Sequence, residues 1–585
     1  MTAYDTIIRN GRVVDGAGGA AVWADVGILD GRIATVGNLR GAHAVEEIDA
    51  AGKVVAPGHI TQHCHHDATI FWDPYCSDSG EHGVTTILNA NCGFSVAPVR
   101  AADRERTMLM LSTTEQIPVA QQRIAMPWDW ETFPEYLARV AALPKGVNVM
   151  TYLPLNPLLI YVMGVDAAKT RRPTAAEIAQ MRRLINEAMD LGAVGISMSV
   201  MGAGGNSHLD FDGTPMPTDS MHDDDVVEIA RAVADRGEGI IQMLSLIAVY
   251  GNRALTEKVA RMARNSGARV LHNIIMTGEG MDQMVSDEIA WVNRVRAEGL
   301  DLTVGTLLHC GWVEATILDL DTAAGQLGGV REIVACRTED EARALLADPA
   351  FVRRFSDEYA RVGPSNGSGG VEQQTVISVG DHPELAPLVG RTLADIAAQT
   401  GQTVVEALCG IAVKSDLKMQ IKSAPFSAMD GAQAVRILRN PGIAAGVSDA
   451  GAHTKAFSSG NYATELLIRL VRDQKLMAVE EMHHQLSLKV ARTLRLEDRG
   501  ALLPGFWADI LIYDLDALYF DRGQMEIVHD MPGGDWRRRV RSGGYDRILV
   551  NGVTTHVGGR TTGAVPGQMP RITRNLGTAL AVAAE

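Results

Sequence analysis

Cysteine is scarce in this chain: six residues (Cys64, Cys76, Cys92, Cys310, Cys336 and Cys409) are spread over 585 positions. Cysteines so few and so far apart make no disulfide framework, and the expected location is a reducing compartment, the cytoplasm. Positive charge is also in deficit, with 54 lysines and arginines against 70 acidic residues and a formal net charge of -16. That balance argues against general nucleic-acid binding, which needs a basic face. The local run Arg537-Arg538-Arg539 reads as a solvated loop. The opening stretch MTAYDTIIRNGRVVDG holds no long apolar core, so neither a signal peptide nor a membrane anchor is expected, and no membrane partner. What remains, 46% hydrophobic and 21% charged, has the composition of a globular protein large enough for a substantial core. A homo-oligomer is compatible with it.

Short strands separated by turn residues fill positions 4 to 56, where Asn10-Gly11 and Asp30-Gly31 carry the hairpin signal. The same character returns in LLPGFWADILIYDLD and YDRILVNGVTTHVGG, with Asn551-Gly552 as a turn. Neither half is long enough to close a sheet alone. Residues 1–56 and 500–571 are therefore expected to meet in one small β-sandwich, followed by a C-terminal tail, 572–585.

From 57 to 499 the pattern changes to strands alternating with amphipathic helices. Buried strands are predicted at Val54–Ile60, Thr85–Asn91, Asn148–Leu155, Val194–Ser199, Ile240–Ser245, Arg269–Ile274, Asp301–Leu308 and Ile443–Ser448. The clearest helix covers Thr174–Leu191, where Thr174 and Glu177 form a capping-box pattern and Ile178, Met181, Leu184, Ile185 and Ala188 keep helical spacing. Eight such units predict an α/β fold, a TIM-like (β/α)8 barrel. Glycine-rich insertions near 200–220 and 310–375 interrupt it. Long irregular segments of this kind are either mobile or placed over an active site.

His63-Cys64-His65 lies just past the first predicted strand, and β geometry sends residues i and i+2 to one face. Alone, such a histidine pair is ordinarily a surface or hydrogen-bonded pair. In a barrel, however, the chemistry belongs at the carboxyl ends of the strands. Those ends carry His63, His65 and Asp67, then Asn91-Cys92-Gly93, then His272 on the sixth strand and Ser448-Asp449 on the eighth. Imidazole, thiolate and carboxylate are ligands of zinc or a similar ion, and four such strand ends predict a metal site.

The segments NGRVVDGAG, PGHITQHCHHD, HGVTTILNANCGFSVAP, GAVGISMS, DGTPMPT, GVSDAGAHTK and DRGALLPGFWADILIYD, in this order along nearly the whole chain, resemble the amidohydrolase superfamily. Within it they resemble the D-aminoacylase, or N-acyl-D-amino-acid deacylase, branch. The resemblance implies a barrel with a terminal β-sandwich, and His63, His65, Cys92 and Asp449 as metal positions, with Asp449 also carrying the proton. His272 lies near the sixth-strand ligand position. The chain also departs from the branch. Where the family reads PGFID it has Pro57-Gly58-His59-Ile60-Thr61, and the fifth strand offers Gln242 or Met243 in place of a histidine ligand. Leu155-Asn156 replaces a glycine-histidine, and the histidine-arginine pair that grips a substrate carboxylate is not evident.

The expected chemistry is amide hydrolysis by a water activated on one or two zinc ions, with Asp449 as general base and acid. The substrate side is assigned to Gln242, His309, His453 and Lys455. Lys455 is the local positive group an anionic substrate needs. For His453, contact with substrate or oxyanion stands beside a supporting hydrogen bond; for His309, a pocket wall stands beside a packed core position. His66 is read as structural, Asp67 as orienting His65, and His208 as an exposed loop residue. The expected substrate is a small N-acyl amino acid or related amide. A lactone, a cyclic amide or another carbonyl compound is the alternative, and a non-catalytic scaffold of the same fold is the second.

Overall fold

The computed structural model describes residues 4–572 apart from 203–206, 246–251, 279–280, 320–326, 337, 364–369 and 426–429. The predicted tail, the Gly202–Gly205 stretch and the PSNGSGG segment fall wholly or largely outside the described residues. Strands from both ends of the chain share one nine-stranded sheet. Its order is Arg560–Thr561, Val553–Val557, Tyr545–Val550, Ile510–Tyr513, Val54–Pro57, Tyr4–Val13, Val22–Leu29 and Arg32–Gly37, with Ala44–Asp49 beside Tyr4–Val13. Val54–Pro57 joins the two halves, running parallel to Tyr4–Val13 and antiparallel to Ile510–Tyr513 with Pro57 opposite Ile510. Ile8, Val13, Val26, Val55, Ile510 and Leu549 fill the core of this β domain.

Two of the three expected turns form. Asp30-Gly31 and Asn551-Gly552 have positive φ at both residues and connect adjacent antiparallel strands. Asn10-Gly11 does not turn the chain. It lies inside Tyr4–Val13 as an irregularity in the pairing with Val22–Leu29, with Asn10 at φ 60°. A Cβ on Gly11 would come within 2.4 Å of Val55 Cγ2, so the glycine serves close approach to the neighbouring strand.

The next strand after Val54–Pro57 opens the barrel, which stands as eight parallel staves: His59–Ile60, Val84–Asn89, Asn148–Thr151 with Leu153–Pro154, Gly195–Ser199, Ile240–Leu244, Arg269–Met276, Leu302–Leu307 and Ile443–Ala444. The ring closes where the Gln62 and His63 amides donate to the Gly446 carbonyl and His63 bridges Val447. The helix Ala175–Leu191 starts at Thr174 with the capping box formed to Glu177. Among the described residues no single helix is long and apolar enough to cross a membrane.

An insertion separates the seventh and eighth staves. Among the described residues, a three-stranded antiparallel sheet (Glu314–Thr316, Gln420–Lys422, Thr375–Ser378) and five α-helices between 328 and 414 surround their own core, including Phe351, Phe355, Leu393 and Leu408. The pattern break near 310–375 marks only its first part. Part of the C-terminal segment leaves the terminal sheet to meet it: Glu526–Met531 pairs with Asp535–Arg539. The arginine run expected as a solvated loop lies in this hairpin, because each guanidinium finds a carboxylate. Arg537 pairs with Asp530 at 2.7 Å, Arg538 with Glu314 at 3.2 Å, and Arg539 with Glu81. Arg537 and Arg538 are buried.

Candidate metal centre

The closure of the barrel sets two distant segments side by side. The His63 carbonyl accepts from the Ser448 amide at 3.0 Å and the Asp449 amide at 3.2 Å, and the His65 amide donates to the Ala450 carbonyl at 2.8 Å. Gly451 permits this approach: it has φ +90°, and a Cβ there would lie 2.7 Å from the His65 carbonyl oxygen. The second stave delivers Cys92 on a tight turn, whose Gly93 amide donates to Ser197 Oγ at 3.2 Å. Ala90, Cys92, Asp449 and His453 all have φ between 53° and 61°. Left-handed backbone at four non-glycine residues costs roughly 1–2 kcal/mol each, strain that collects at functional sites.

The result is a three-donor cluster of His63, His65 and Cys92 with the Asp449 carboxylate beside its imidazoles. Cys92 Sγ lies 3.2 Å from His63 Nε2 and 3.9 Å from His65 Nε2. Asp449 Oδ1 lies 3.2 Å from His63 Nε2 and 3.6 Å from His65 Nε2. Donors held about 2.0–2.3 Å from one tetrahedral ion stand about 3.3–3.6 Å apart. The donor atoms of His63, His65 and Cys92 all lie within 4.8 Å of one another, compact enough for one ion, and Asp449 stands against both imidazoles. Charge agrees with geometry. Burial opposes ionisation of all four groups, yet each stabilises the charge of its neighbours. The Cys92 thiolate and Asp449 carboxylate hold His63 up at about 9, and Glu115, Asp449 and Cys92 raise His65 well above its ordinary value. The two imidazoles in turn lower Cys92 and Asp449. Two anions facing one point make a place for a cation. The side chains of His63 and His65 are buried, whereas that of Asp449 is 33% exposed and so is the donor open to the mouth.

Each imidazole is steadied from behind. His65 Nδ1 faces the buried Glu115 carboxylate at 3.5 Å. Asn273 Nδ2 lies 2.7 Å from His63 Nδ1, while its Oδ1 has no partner among the described residues. Turned over, the same amide offers its oxygen to an Nδ1–H, which leaves Nε2 with a lone pair for an ion. The Asp67 carboxylate, expected to orient His65, instead accepts from Ser95 Oγ at 2.6 Å and the Ala90 amide at 3.2 Å, fixing the turn that carries Cys92. Burial pushes Asp67 up to about 6. Gln242 Oε1 accepts from the Cys92 amide at 3.1 Å.

Two expectations are corrected. His272 is not at the cluster: it sits opposite Met243 on the face of its strand turned to the helices, with Nδ1 3.1 Å from Thr256 Oγ1 and its ring against Trp291. Strand alternation gives the inward place to Asn273. Lys455 does not serve the pocket either, because the C-terminal hairpin captures it: Nζ is 2.9 Å from Asp535 and 4.7 Å above the Trp536 ring.

His453 receives no role at the cluster itself. Its amide donates to the Glu115 carbonyl at 2.7 Å, and its Nδ1 is 3.0 Å from Gln116 Oε1. It lines a pocket of about 550 Å³ bounded also by Gln116, His208, Phe211 and the insertion's Arg331. His208 is therefore no free loop residue. It reaches Ser199 Oγ at 3.0 Å and packs on Phe94. His309 is buried after the seventh stave with neither ring nitrogen bonded among the described residues, and burial lowers it to about 4. His66 bonds Thr69 and Ser79, as a structural residue does. Sequence reasoning missed Glu115 and Asn273. Alternation along the sixth strand could have found Asn273, whereas nothing in the loop around Glu115 announces its role.

Residues 46–561 match the profile of the Amidohydrolase family. N-acyl-D-glutamate deacylase of Alcaligenes xylosoxydans xylosoxydans is 27% identical over 558 residues, covering 94% of this chain and 93% of its own. An uncharacterised protein of Mycobacterium tuberculosis is 27% identical over 555 residues, covering 87% of this chain and 84% of its own. The solved structure of N-acyl-D-glutamate deacylase from Bordetella bronchiseptica, complexed with zinc and a phosphonate inhibitor, superposes with a TM-score of 0.64 at 23% identity, covering 97% of this chain and 100% of its own.

Proposed function

The chain belongs to the amidohydrolase family and is a metal-dependent hydrolase of amide carbon–nitrogen bonds; we propose that its substrate is an N-acyl amino acid and its metal a single zinc ion. The observation that carries the metal assignment is the His63–His65–Cys92 cluster, with Asp449 against both imidazoles. His63, His65, Cys92 and Asp449 would hold the ion, and thiolate with imidazole suits zinc better than the oxygen-seeking magnesium or calcium. The substrate class is supported by the names of relatives that match across nearly the whole chain.

Bound zinc supplies a Lewis acid and lowers the pKa of water toward about 7. The protein's own groups do the rest. Asp449, with Oδ1 turned to the imidazoles, receives the proton of the attacking water at Oδ2 and returns it to the leaving nitrogen, so that one amide and one water become one carboxylate and one amine. Asn273 and Glu115 keep the imidazoles oriented, and burial of both histidines excludes competing water. The pocket beside His453 would receive the part of the substrate remote from the reacting bond.

The test is a screen of zinc-loaded protein against N-acyl-D- and N-acyl-L-amino acids, cyclic amides and lactones, together with metal analysis. Turnover of an acyl amino acid with one zinc per chain is expected. Turnover confined to cyclic amides or lactones would replace the substrate assignment, and a zinc-free chain that refuses added zinc would remove the metal assignment.

A further inference from the structure

The amide of Gln242 has a job at one end only. The side chain is fully buried on the fifth stave, in register with Ser197, whose hydroxyl binds the same turn that carries Cys92. Its Oε1 accepts from the Cys92 amide at 3.1 Å. Because a backbone N–H is met only by the carbonyl end of an amide, the orientation is fixed and the NH2 group points the other way. That Nε2 has no acceptor among the described residues. Buried donors are almost always satisfied, and one left unmet is costly. It is also next to the chemistry: Oε1 touches the amide of the residue whose Sγ lies 3.2 Å from His63 Nε2.

A carbonyl compound attacked at this cluster develops negative charge on its oxygen. A fixed donor in a water-poor site is what such an oxygen needs, and a donor whose orientation is set beforehand has no reorganisation to undergo as the charge appears. We infer that Gln242 is a catalytic residue whose Nε2 donates a hydrogen bond to the substrate carbonyl oxygen as it becomes an oxyanion. The fifth stave then contributes a neutral donor to the reaction, and Gln242 also keeps the Cys92 turn in place through its other end. This role rests on the hydrolase reading above but not on the choice of acyl amino acid, since amides, cyclic amides and lactones share the carbonyl.

The test compares zinc-loaded wild type with Gln242→Glu and Gln242→Met, at pH 8, on whichever carbonyl substrate the screen selects. Gln242→Glu keeps an oxygen for the Cys92 amide and removes the NH2; Gln242→Met removes both. For Gln242→Glu the expected result is unchanged zinc content and melting temperature, a fall in kcat of about 10²–10³-fold with KM little changed, and an equal loss of affinity for a phosphonate analogue of that substrate. Gln242→Met is expected to lose zinc affinity as well. A fully zinc-loaded Gln242→Glu protein with kcat within about threefold of wild type would overturn the inference. Should that variant fail to fold or to hold zinc, a structure of the wild-type phosphonate complex decides: Nε2 within about 3.2 Å of a phosphonate oxygen supports the role, and Nε2 beyond about 3.5 Å of every such oxygen ends it. If the wild type hydrolyses none of the screened compounds, both this role and the hydrolase reading fall.

Discussion

The two sides of the barrel mouth are built from different chemistry. On one side the first, second and eighth staves bring His63, His65, Cys92 and Asp449 together, with Cys92 Sγ and Asp449 Oδ1 each 3.2 to 3.9 Å from the two imidazole nitrogens. On the other, the fourth, fifth and sixth staves present Ser197, Gln242 and Asn273, all neutral and all buried. The charged side supplies ligands and a proton carrier. The neutral side fixes turns and rings by hydrogen bonds, Ser197 and Gln242 through the Cys92 turn and Asn273 through His63. A division of this kind lets one half of a site change its charge state during a reaction while the other holds its geometry.

The contrast makes its largest prediction at Cys92. Cys92→Ala is expected to lose stoichiometric zinc, and hydrolysis with it, as read by metal analysis of the purified variant; full zinc retention would break the division at its charged end. Asp449→Asn is expected to lower kcat by about 10³-fold or more while at least partial zinc binding survives, since the proton carrier is lost but three donors remain. Near-normal turnover in that variant would move the proton-carrying role elsewhere. Removing the groups behind the imidazoles should cost less. Asn273→Leu and Glu115→Gln are each expected to weaken zinc affinity about 10–100-fold, measured by competition with a chelator. If Asn273→Leu changed nothing, the neutral side would have no hold on the charged one.

The smallest effect belongs to His272, which shares a strand with Asn273 but faces outward. His272→Gln should leave zinc content and kcat unchanged. It should alter the response to acid. Burial lowers His272 to about 3 against an unfolded value near 6.5, so between those values the unfolded chain binds more protons and stability falls as pH falls. The wild-type melting temperature should therefore drop more steeply than that of His272→Gln between pH 6.5 and pH 4.5. Loss of zinc from His272→Gln would return His272 to the ligand set.

Residues 272 and 273 also show what the sequence could and could not tell. His63 and His65 do converge, although they lie past the end of the His59–Ile60 stave and not on the strand that alternation presupposes. His272 stood out as the metal-competent residue near the ligand position that the family resemblance implies, which says nothing of which face is inward, whereas the register of Arg269–Met276 turns Asn273 inward. The eight staves and the capped helix at 174 were legible because hydrophobic period and capping are local properties. Lys455 was not, since its partner Asp535 comes from a hairpin eighty residues on. Glu115 was invisible for a related reason: it sits past the end of helix Arg104–Thr114, and only the folded chain brings its carboxylate to His65. The pair Asn10-Gly11 shows the limit of even strong local signals, because a dipeptide suited to turning the chain also suits a bulge.

Val54–Pro57 lies between a strand that precedes it and one that follows at Ile510–Tyr513, and it runs straight into the stave that ends at the metal ligands. During synthesis Val54–Pro57 therefore emerges with one flank bare until Ile510–Tyr513 follows, and the stave beyond it stays open on one side until the segment Gly446–Asp449 arrives. A truncated or stalled polypeptide would carry three of the four donors without the lateral support that aligns them, so competence for hydrolysis arrives late, as a property of the completed chain.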